Sequence, residues 1–408
     1  MDKFKKRPYI LKNAIQYYAW GTKNKHAFIP RLFDIESEPD KPYAELWIGI
    51  HPNAPSLVEY NQEIIPLNQF ISKYPKEILG SQCAAKFNNQ LPFLLKVLSA
   101  EEALSIQAHP NKSQAEILHA KDKKNYPDSN HKPEVAVALD SFTALVGFRV
   151  YEEWVEMLHE YPEMKRFLGK DFLDQTLVTP EQKHSWQREL YKTLMKNAAG
   201  NSQLLSETLN DLDKRLQQSA FQLTEQQQLF ISLHKVYNDD VGLYSIFLLN
   251  LVHLKKGQAF FIKAGIPHSY IKGNIIECMS NSDNVVRAGL TPKFKDISTL
   301  LDILVYESGP VEILEDRDTL QEFIYKTPMS EFEVSRILLD KKEVYNHKCK
   351  TIEILLPING NGLLFWENSS SSILYTKGEV LLVPASLNEY QLDPQEDSEI
   401  FKVSIPVI

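Results

Sequence analysis

The part of the chain that indicates the fold most clearly is residues 257–295, which read GQAFFIKAGIPHSYIKGNIIECMSNSDNVVRAGLTPKFK. It opens as an alternating, β-rich segment, and a Gly-Ile-Pro corner then places His268 at a fixed angle. A second strand is predicted over residues 274–279 and carries Glu277, and a polar loop leads to Arg287 in apolar company. Buried charges need partners or a function. The segment therefore predicts a small β-barrel that carries half of an active site.

The composition is that of a globular protein with a sizeable core. The 408 residues, 43% hydrophobic and 24% charged, suggest two or three domains. A net charge of -8 favours neither nucleic acid nor an anionic membrane as a partner. The three cysteines are widely separated, which indicates a reducing compartment rather than a disulfide framework. The sequence shows neither an apolar leader nor a membrane-spanning run, so we expect a cytoplasmic protein.

The texture of the sequence changes between residues 151 and 240. Glycine is almost absent there, and Gln, Glu, Lys and Leu recur at three- and four-residue intervals. This pattern predicts a helical domain inserted between β-rich parts. The segment carries no convergent cluster of His, Cys and acidic residues, so we interpret it as structural or as a lid.

A short internal similarity links the C-terminal region to the opening segment. Residues 377–385 echo residues 256–264, and in that register Glu389 falls where His268 stands. No Gln-x-His strand accompanies the second copy. The similarity is interpreted either as a structural duplicate without a metal or as a chance likeness of two β hairpins.

Four polar side chains are candidates for a metal site. Alternation along one predicted strand places Ser105, Gln107 and His109 on the same face. Glu134 enters another predicted strand, and His268 follows the Gly-Ile-Pro corner. Two imidazoles, one carboxylate and one amide oxygen suit a divalent ion such as zinc and leave room for a substrate or water. Histidine and glutamate on β-strands are also often satisfied surface residues, so the spacing alone leaves both interpretations open.

Several motifs give the chain a family resemblance. It resembles the type I phosphomannose isomerases in the stretches YAELWIG (43–49), LSIQAHPNK (104–112), YPDSNHKPE (126–134), LVGFR (145–149) and NVVRAGLTPK (284–293). The resemblance implies a mainly β protein with an α-helical insertion, built from two cupin-type (jelly-roll) β-barrels plus a helical domain. It also implies a zinc-dependent isomerase that interconverts mannose 6-phosphate and fructose 6-phosphate.

The resemblance implies roles for individual residues. One zinc ion per chain is expected, and its implied ligands are Gln107, His109, Glu134 and His268. Arg287 is the implied active-site arginine. The sequence departs from the usual family pattern at Asn111 and Val135, and neither position is a ligand.

The expected organisation has three parts. Residues 1–150 and 241–310 form a catalytic cupin-type metal-binding domain, and residues 151–240 form the helical domain. Residues 311–408 form a C-terminal cupin-like domain without a metal. We expect a monomer whose partner is a small phosphorylated sugar.

The implied reaction moves a proton between carbons 2 and 1 of the opened sugar through an enediol, and negative charge develops on the carbonyl oxygen. A zinc ion or Arg287 would relieve that charge. Glu277 and Lys132 are both candidates for the base, whose pKa should lie near neutrality. A salt bridge in which Glu277 only orients Arg287 is the alternative. The expected contacts to the phosphate or sugar are Lys96, Ser105, Lys293 and Tyr270.

Two other classes of protein fit part of the pattern. A cupin-type iron oxygenase usually has a facial triad of two histidines and one carboxylate, whereas Gln107 and the cationic residues point elsewhere. A non-catalytic sugar-binding module would not need Arg287 and Lys132 close to a metal. Metal analysis combined with a coupled assay on mannose 6-phosphate separates the three classes.

Overall fold

The computed structural model describes residues 3–169, 172–173, 179–315 and 321–406, and these form 24 β-strands and 12 α-helices. The strands are β1 (Tyr9–Lys12), β2 (Ala14–Gln16), β3 (Thr22–Lys23), β4 (Pro42–Tyr43), β5 (Glu45–Ile48), β6 (Leu57–Tyr60), β7 (Glu63–Pro66), β8 (Phe93–Ala100), β9 (Ile106–Ala108), β10 (Glu134–Ala138), β11 (Phe142–Phe148), β12 (Leu249–Leu254), β13 (Ala259–Ile262), β14 (His268–Ser280), β15 (Val286–Gly289), β16 (Glu322–Tyr325), β17 (Glu333–Leu339), β18 (Tyr345–Lys348), β19 (Glu353–Asn359), β20 (Asn361–Trp366), β21 (Ser371–Thr376), β22 (Val380–Val383), β23 (Glu389–Pro394) and β24 (Ser398–Ser404). The helices are α1 (Phe28–Phe33), α2 (Leu67–Lys73), α3 (Pro75–Leu79), α4 (Ser81–Lys86), α5 (Lys112–Lys121), α6 (Tyr151–Glu160), α7 (Pro162–Leu168), α8 (Pro180–Gly200), α9 (Ser202–Gln217), α10 (Glu225–Tyr237), α11 (Gly242–Leu248) and α12 (Ile297–Ile303). The predicted mainly β architecture with a helical insertion is confirmed.

Strand β14 is the centre of the larger sheet. This ten-stranded sheet has the order β12-β11-β14-β8-β5-β2, with β10 and β13 added at one end of β14 and β9 and β15 at the other. The prediction of a separate second strand over residues 274–279 is wrong, because His268 and Glu277 lie on one continuous strand. Gly273, at φ 116°, lets the strand bend and exchange β11 for β8 and β10 as neighbours. A side chain there would clash with the backbone of Ser141.

The second large sheet combines both ends of the chain. Its order is β16-β17-β24-β19-β22-β1-β6-β7, and a four-stranded sheet, β18-β23-β20-β21, lies with it around a shared core. Three strands from residues 9–66 thus continue a sheet that the C-terminal region begins. The sheets divide the chain differently from the expected boundary, which assigns all of residues 1–150 to the catalytic domain.

The two β-rich parts repeat the same antiparallel strand order. It is β13-β10-β14-β8-β5 in the first part and β22-β19-β24-β17-β16 in the second. The remaining pairings correspond as well, because β9 and β11 pair with the first half of β14 as β18 and β20 pair with β23. A chance likeness of two hairpins does not produce this order. The internal similarity is therefore part of a duplication of the whole barrel.

The register of the ladders shows which side chains are equivalent. The partners of β10 in β13 and β14 match the partners of β19 in β22 and β24, and the register continues into the edge strands. The equivalent charged pairs, with the first barrel given first, are Glu134 and Glu353, Glu277 and Lys402, and Glu45 and Glu322. The second barrel keeps two of the three carboxylates and replaces the third by an ammonium group.

The helical insertion is built from capped, amphipathic helices. The Thr179 hydroxyl accepts a hydrogen bond from the Gln182 backbone N–H, and Pro180 occupies the first turn of α8. Thr224 caps α10 in the same way. The apolar faces of these helices form one core, which includes Trp154, Leu190, Leu209 and Phe230. Among the described residues, no helix is long and apolar enough to cross a membrane.

Candidate metal centre

Three neighbouring strands bring three polar side chains into one row. Gln107 lies opposite His268 in the ladder of β9 with β14, and opposite Arg287 in the ladder of β9 with β15. Residues directly opposite each other in an antiparallel pair point to the same face. The predicted polar face of this strand is thus continued by the histidine and the arginine, although β9 covers only Ile106–Ala108.

His109, Glu134 and His268 form a buried cluster whose ligand atoms lie within 4.8 Å of one another. Each residue is at most 1% exposed. Nε2 of His109 lies 3.4 Å from Oε1 of Glu134, and Nε2 of His268 lies 3.4 Å from Oε2 of Glu134. The side-chain amide of Gln107 lies 3.4 Å from His268 Nε2. The four predicted ligands therefore converge, and the described ranges contain no second group of His, Cys, Asp or Glu with this spacing.

Backbone carbonyl groups fix both imidazole rings. Nδ1 of His109 lies 2.7 Å from the Asn284 carbonyl oxygen, and Nδ1 of His268 lies 3.0 Å from that of Ile266. A carbonyl oxygen only accepts, so Nδ1 donates in each ring and the Nε2 lone pair faces the cluster. In the described structure, Nε2 of His109 is buried without a hydrogen-bond partner, and Oε1 of Glu134 is buried with the Lys132 ammonium as its ion-pair partner. A buried imidazole lone pair that faces a buried carboxylate is an arrangement that a bound cation would satisfy.

The electrostatics of the cluster favour the protonation states that bind metals. Burial lowers the pKa of His109 to about 4, and the Lys132 ammonium acts in the same direction, so the ring is neutral. Burial alone would raise the pKa of Glu134, but Lys132 and the histidines outweigh it and the pKa lies well below its usual range. Lys132 Nζ lies 2.7 Å from Glu134 Oε1. A neutral imidazole and an ionised carboxylate are the forms that ligate a divalent ion.

Lys96 lies inside the barrel with two carboxylates. It is 7% exposed, and its Nζ lies 3.0 Å from Glu277 and 3.9 Å from Glu45. Burial would lower its pKa, but the two carboxylates outweigh burial and raise it. Trp47 Nε1 donates to Glu45 at 2.5 Å, and its ring centroid lies 5.8 Å from the Lys96 ammonium. The anion that a buried lysine requires is thus supplied by the protein itself.

Arg287 is half-buried and stands apart from these ion pairs. Burial lowers its pKa, and no charged neighbour in the described part of the chain acts on it. The salt bridge from Glu277 to Arg287, which the sequence left open, is not formed among the described residues, because Glu277 pairs with Lys96. A guanidinium without a carboxylate partner, in the same row as the cluster, can take an anionic ligand.

The other residues expected at the site lie at different depths. Tyr270 is 2% exposed, and its hydroxyl donates to Glu134 at 3.4 Å, so it contacts the cluster directly. Ser105 is half-buried and directly precedes β9. Lys293 is exposed, in the loop that follows β15. The structure thus brings Tyr270 to the cluster, places Ser105 directly before the strand that carries Gln107, and leaves Lys293 at the surface.

Comparison with known proteins identifies the family to which this chain belongs. Residues 9–151 match the family model of the catalytic domain of type I phosphomannose isomerase, and residues 164–249 match that of its helical insertion domain. The chain is 36% identical to the mannose-6-phosphate isomerase of Mus musculus over 98% of its length and 96% of that protein. The chain belongs to the type I phosphomannose isomerase family. Its identity to the Homo sapiens mannose-6-phosphate isomerase is 37%, over 97% of the chain and 98% of that protein.

Solved structures of the family share the fold. A mannose 6-phosphate isomerase from Salmonella typhimurium, bound to substrate and zinc, matches with a TM-score of 0.86 and 31% identity. The match covers 98% of this chain and 100% of that one. A zinc-bound mannose 6-phosphate isomerase without a stated substrate gives the same TM-score at 30% identity.

One polar pair near the cluster was not predicted from the sequence. His51 Nε2 lies 2.8 Å from Asp283 Oδ2, although 232 positions separate them. The Asn53 backbone N–H donates to His51 Nδ1, so Nε2 carries the proton that faces Asp283. Burial would raise the pKa of Asp283, but His51, Lys132 and Lys96 outweigh it and lower the pKa. The pair lines a cavity of about 640 Å³, and nothing in the local sequence of either residue predicts it.

The second barrel of this type I chain holds an internal ion network at the equivalent place. Glu353, which corresponds to Glu134, lies 2.8 Å from His347 Nε2. Lys402 Nζ lies 3.2 Å from the same nitrogen and 2.7 Å from Glu322. A lysine ammonium thus supplies positive charge to the half-buried Glu322 directly and lies one imidazole away from the buried Glu353.

Proposed function

We propose that this protein is a zinc-dependent aldose–ketose isomerase that interconverts mannose 6-phosphate and fructose 6-phosphate through an enediol. The observation that carries the proposal is the buried cluster of His109, Glu134 and His268, in which His268 lies in the same row as Gln107 and Arg287. Full-length relatives named mannose-6-phosphate isomerase, and the Salmonella typhimurium structure with substrate and zinc, support the same reaction.

The side chains of the cluster fit a zinc ion. We propose one zinc ion per chain, with Gln107, His109, Glu134 and His268 as its ligands. Two imidazole nitrogens, a carboxylate and an amide oxygen are donors of the hardness that zinc accepts, and the amide of Gln107 presents its oxygen after a 180° rotation. When bound, zinc supplies a Lewis acid that stabilises negative charge on the carbonyl oxygen of the sugar. The alternative of an iron oxygenase is less well supported, because its usual ligand set has no amide.

The residues of the chain share the remaining chemistry. The guanidinium of Arg287 stabilises charge on the enediolate, and its half-buried position weakens screening by water. Glu277 and Lys132 both border the cluster, and one of them moves the carbon-bound proton. The remaining side chains proposed to bind the sugar or its phosphate are Lys96, Ser105, Lys293 and Tyr270.

The domain organisation, the cellular compartment and the oligomeric state belong to the same proposal. Residues 1–150 with 241–310 provide the catalytic cupin-type unit, apart from β1, β6 and β7, which extend the sheet of the C-terminal unit. Residues 151–240 form the helical domain, and residues 311–408 a cupin-like unit without a metal. The last two assignments are supported by the helical insertion and by the internal ammonium network of the second barrel. We expect a cytoplasmic monomer, and size-exclusion chromatography with light scattering measures the oligomeric state.

The decisive experiment combines metal analysis with a coupled assay on mannose 6-phosphate. Protein as purified should contain about one zinc per chain and turn over the substrate. Removing the metal with a chelator should abolish turnover, and added zinc should restore it. Full activity in metal-free protein, or oxygen consumption that depends on iron, would rule out the proposed function.

A second experiment separates the two candidate bases. Exchange of the carbon-2 proton with D₂O solvent is measured in zinc-loaded Glu277→Gln and Lys132→Met. The variant that lacks the base should lose exchange and isomerisation together, by roughly a hundredfold or more. Glu45→Gln is the matched control, because Glu45 also pairs with Lys96. Equal losses in Glu277→Gln and Glu45→Gln would assign Glu277 to holding Lys96 rather than to proton transfer.

A further inference from the structure

A second groove lies between the helical insertion and the segment that follows β15. It has a volume of about 350 Å³ and runs between α8 and α12. Its lining residues are Arg188, Lys192, Lys196, Ile297, Ser298, Leu301, Asp302 and Tyr306. None of these residues belongs to the proposed active site.

One wall of the groove is a line of cations. Arg188, Lys192 and Lys196 recur every four residues along α8, so they lie on the same helix face on successive turns. In the described part of the chain, neither Arg188 nor Lys196 forms an ion pair, and Lys192 has only Glu189 at 3.7 Å. Three cations therefore face one acidic lining residue, Asp302, across the groove.

Tyr306, which lines the groove, has a buried hydroxyl without a partner in the described part of the chain. Tyr306 is 7% exposed, its ring stacks on Phe148 at 5.2 Å, and its hydroxyl makes no hydrogen bond among the described residues. A buried, unpaired hydroxyl is costly, so such groups usually have a partner. Burial raises the pKa of Tyr306 and the Arg188 guanidinium opposes that rise, so the two groups are close enough to interact. The hydroxyl keeps its proton at neutral pH and is available as a donor.

We propose that this groove is a second, non-catalytic site for a phosphate group, carried either by free phosphate or by a small phosphorylated metabolite. Arg188, Lys192 and Lys196 supply charge-assisted hydrogen bonds from one side, and the Tyr306 hydroxyl is a further donor. A phosphate dianion has enough acceptor oxygens to satisfy all four donors at once. Because α12 contacts both α8 and β15, the site lies one helix away from the strand that carries Arg287.

The test is isothermal titration of the zinc-loaded full chain with inorganic phosphate. Arg188→Gln combined with Lys196→Gln should weaken this binding at least about tenfold, because two charge-assisted contacts are lost. Lys123→Gln combined with Lys341→Gln is the matched control, which removes the same charge from two exposed positions outside the groove. Turnover of mannose 6-phosphate should be unchanged in both double variants. Phosphate binding at the proposed active site is followed separately, as competitive inhibition, and should also be unchanged.

Tyr306→Phe gives an independent readout. Removing an unpaired buried hydroxyl should leave the melting temperature of phosphate-free protein unchanged or raise it, while weakening phosphate binding several-fold. Titration with glycerol 2-phosphate identifies the source of the group, because tighter binding of the ester than of free phosphate assigns the site to a metabolite. Phosphate binding by the Arg188→Gln/Lys196→Gln variant equal to that of the wild type would overturn the proposal.

Discussion

Replacing Lys96 by methionine should cost more stability than any exposed substitution in the same barrel. Methionine is close to lysine in length, so the change removes the charge and keeps most of the packing. It leaves Glu277 and Glu45 buried in the same place, where the Trp47 indole still donates to Glu45 but neither carboxylate keeps the Lys96 ammonium. The substitution therefore tests whether the buried ion pairs hold the barrel together.

The magnitude follows from burial. Removing one partner of a buried ion pair costs about 3–5 kcal/mol, because the other charge remains in a poorly solvated place. Lys96 is 7% exposed and Glu277 is 3% exposed, so water screens their interaction little. About 1 kcal/mol corresponds to about 2–4 °C in a domain of 150–250 residues, which gives a decrease of roughly 10 °C. The raised pKa of Lys96 means that this contribution is fully present at neutral pH and disappears only in strong alkali.

The assay is thermal unfolding of metal-free protein at neutral pH, so that loss of zinc does not contribute. Lys272→Met is the control, because Lys272 is 67% exposed and its pairing with Glu101 at 3.7 Å is screened, and it should shift the melting temperature by at most about 3 °C. Adding Glu277→Gln to Lys96→Met should recover part of the loss, since one unpaired carboxylate is removed. A Lys96→Met protein that melts within about 2 °C of the wild type would refute the reasoning.

Three further outcomes are expected. Arg287→Ala should lower kcat by roughly a hundredfold or more and change KM less, with zinc content unchanged. Arg287→Lys should restore only part of the lost kcat. A loss confined to KM would make the residue a phosphate clamp. His268→Ala should lose zinc and activity together, whereas His253→Ala, at an exposed position, should keep both; full zinc and turnover in His268→Ala would contradict its assignment as a ligand. Because the pKa of His109 is lowered to about 4, the unfolded chain binds a proton that the folded chain does not between pH values of about 6.5 and 4. Metal-free protein should lose stability as the pH falls through that window, and unfolding curves of His109→Gln should show a smaller loss.

The local pattern of the sequence was sufficient wherever neighbours along the chain decide the structure. Alternation in one short strand gives the shared face of Gln107 and His109, because successive side chains of a strand point to opposite sides. The spacing of apolar residues predicts the helical insertion, because residues three and four positions apart lie on the same face of a helix. The family resemblance rests on motifs of this local kind, and the comparisons confirm it.

What the sequence could not determine is which distant positions meet. The Lys96–Glu277 pair spans 181 positions and the His51–Asp283 pair spans 232, and each forms only because particular strands and loops become neighbours in the folded barrel. The short sequence echo suggested a repeat, but only the shared ladder register shows that Glu353 is the counterpart of Glu134. A strand's own residues decide which faces it has, whereas its partner and register depend on how the complete barrel buries its core. The sequence by itself therefore determined the faces of single strands, the helical insertion and the candidate ligands, and the tertiary structure decided which strands and side chains become neighbours.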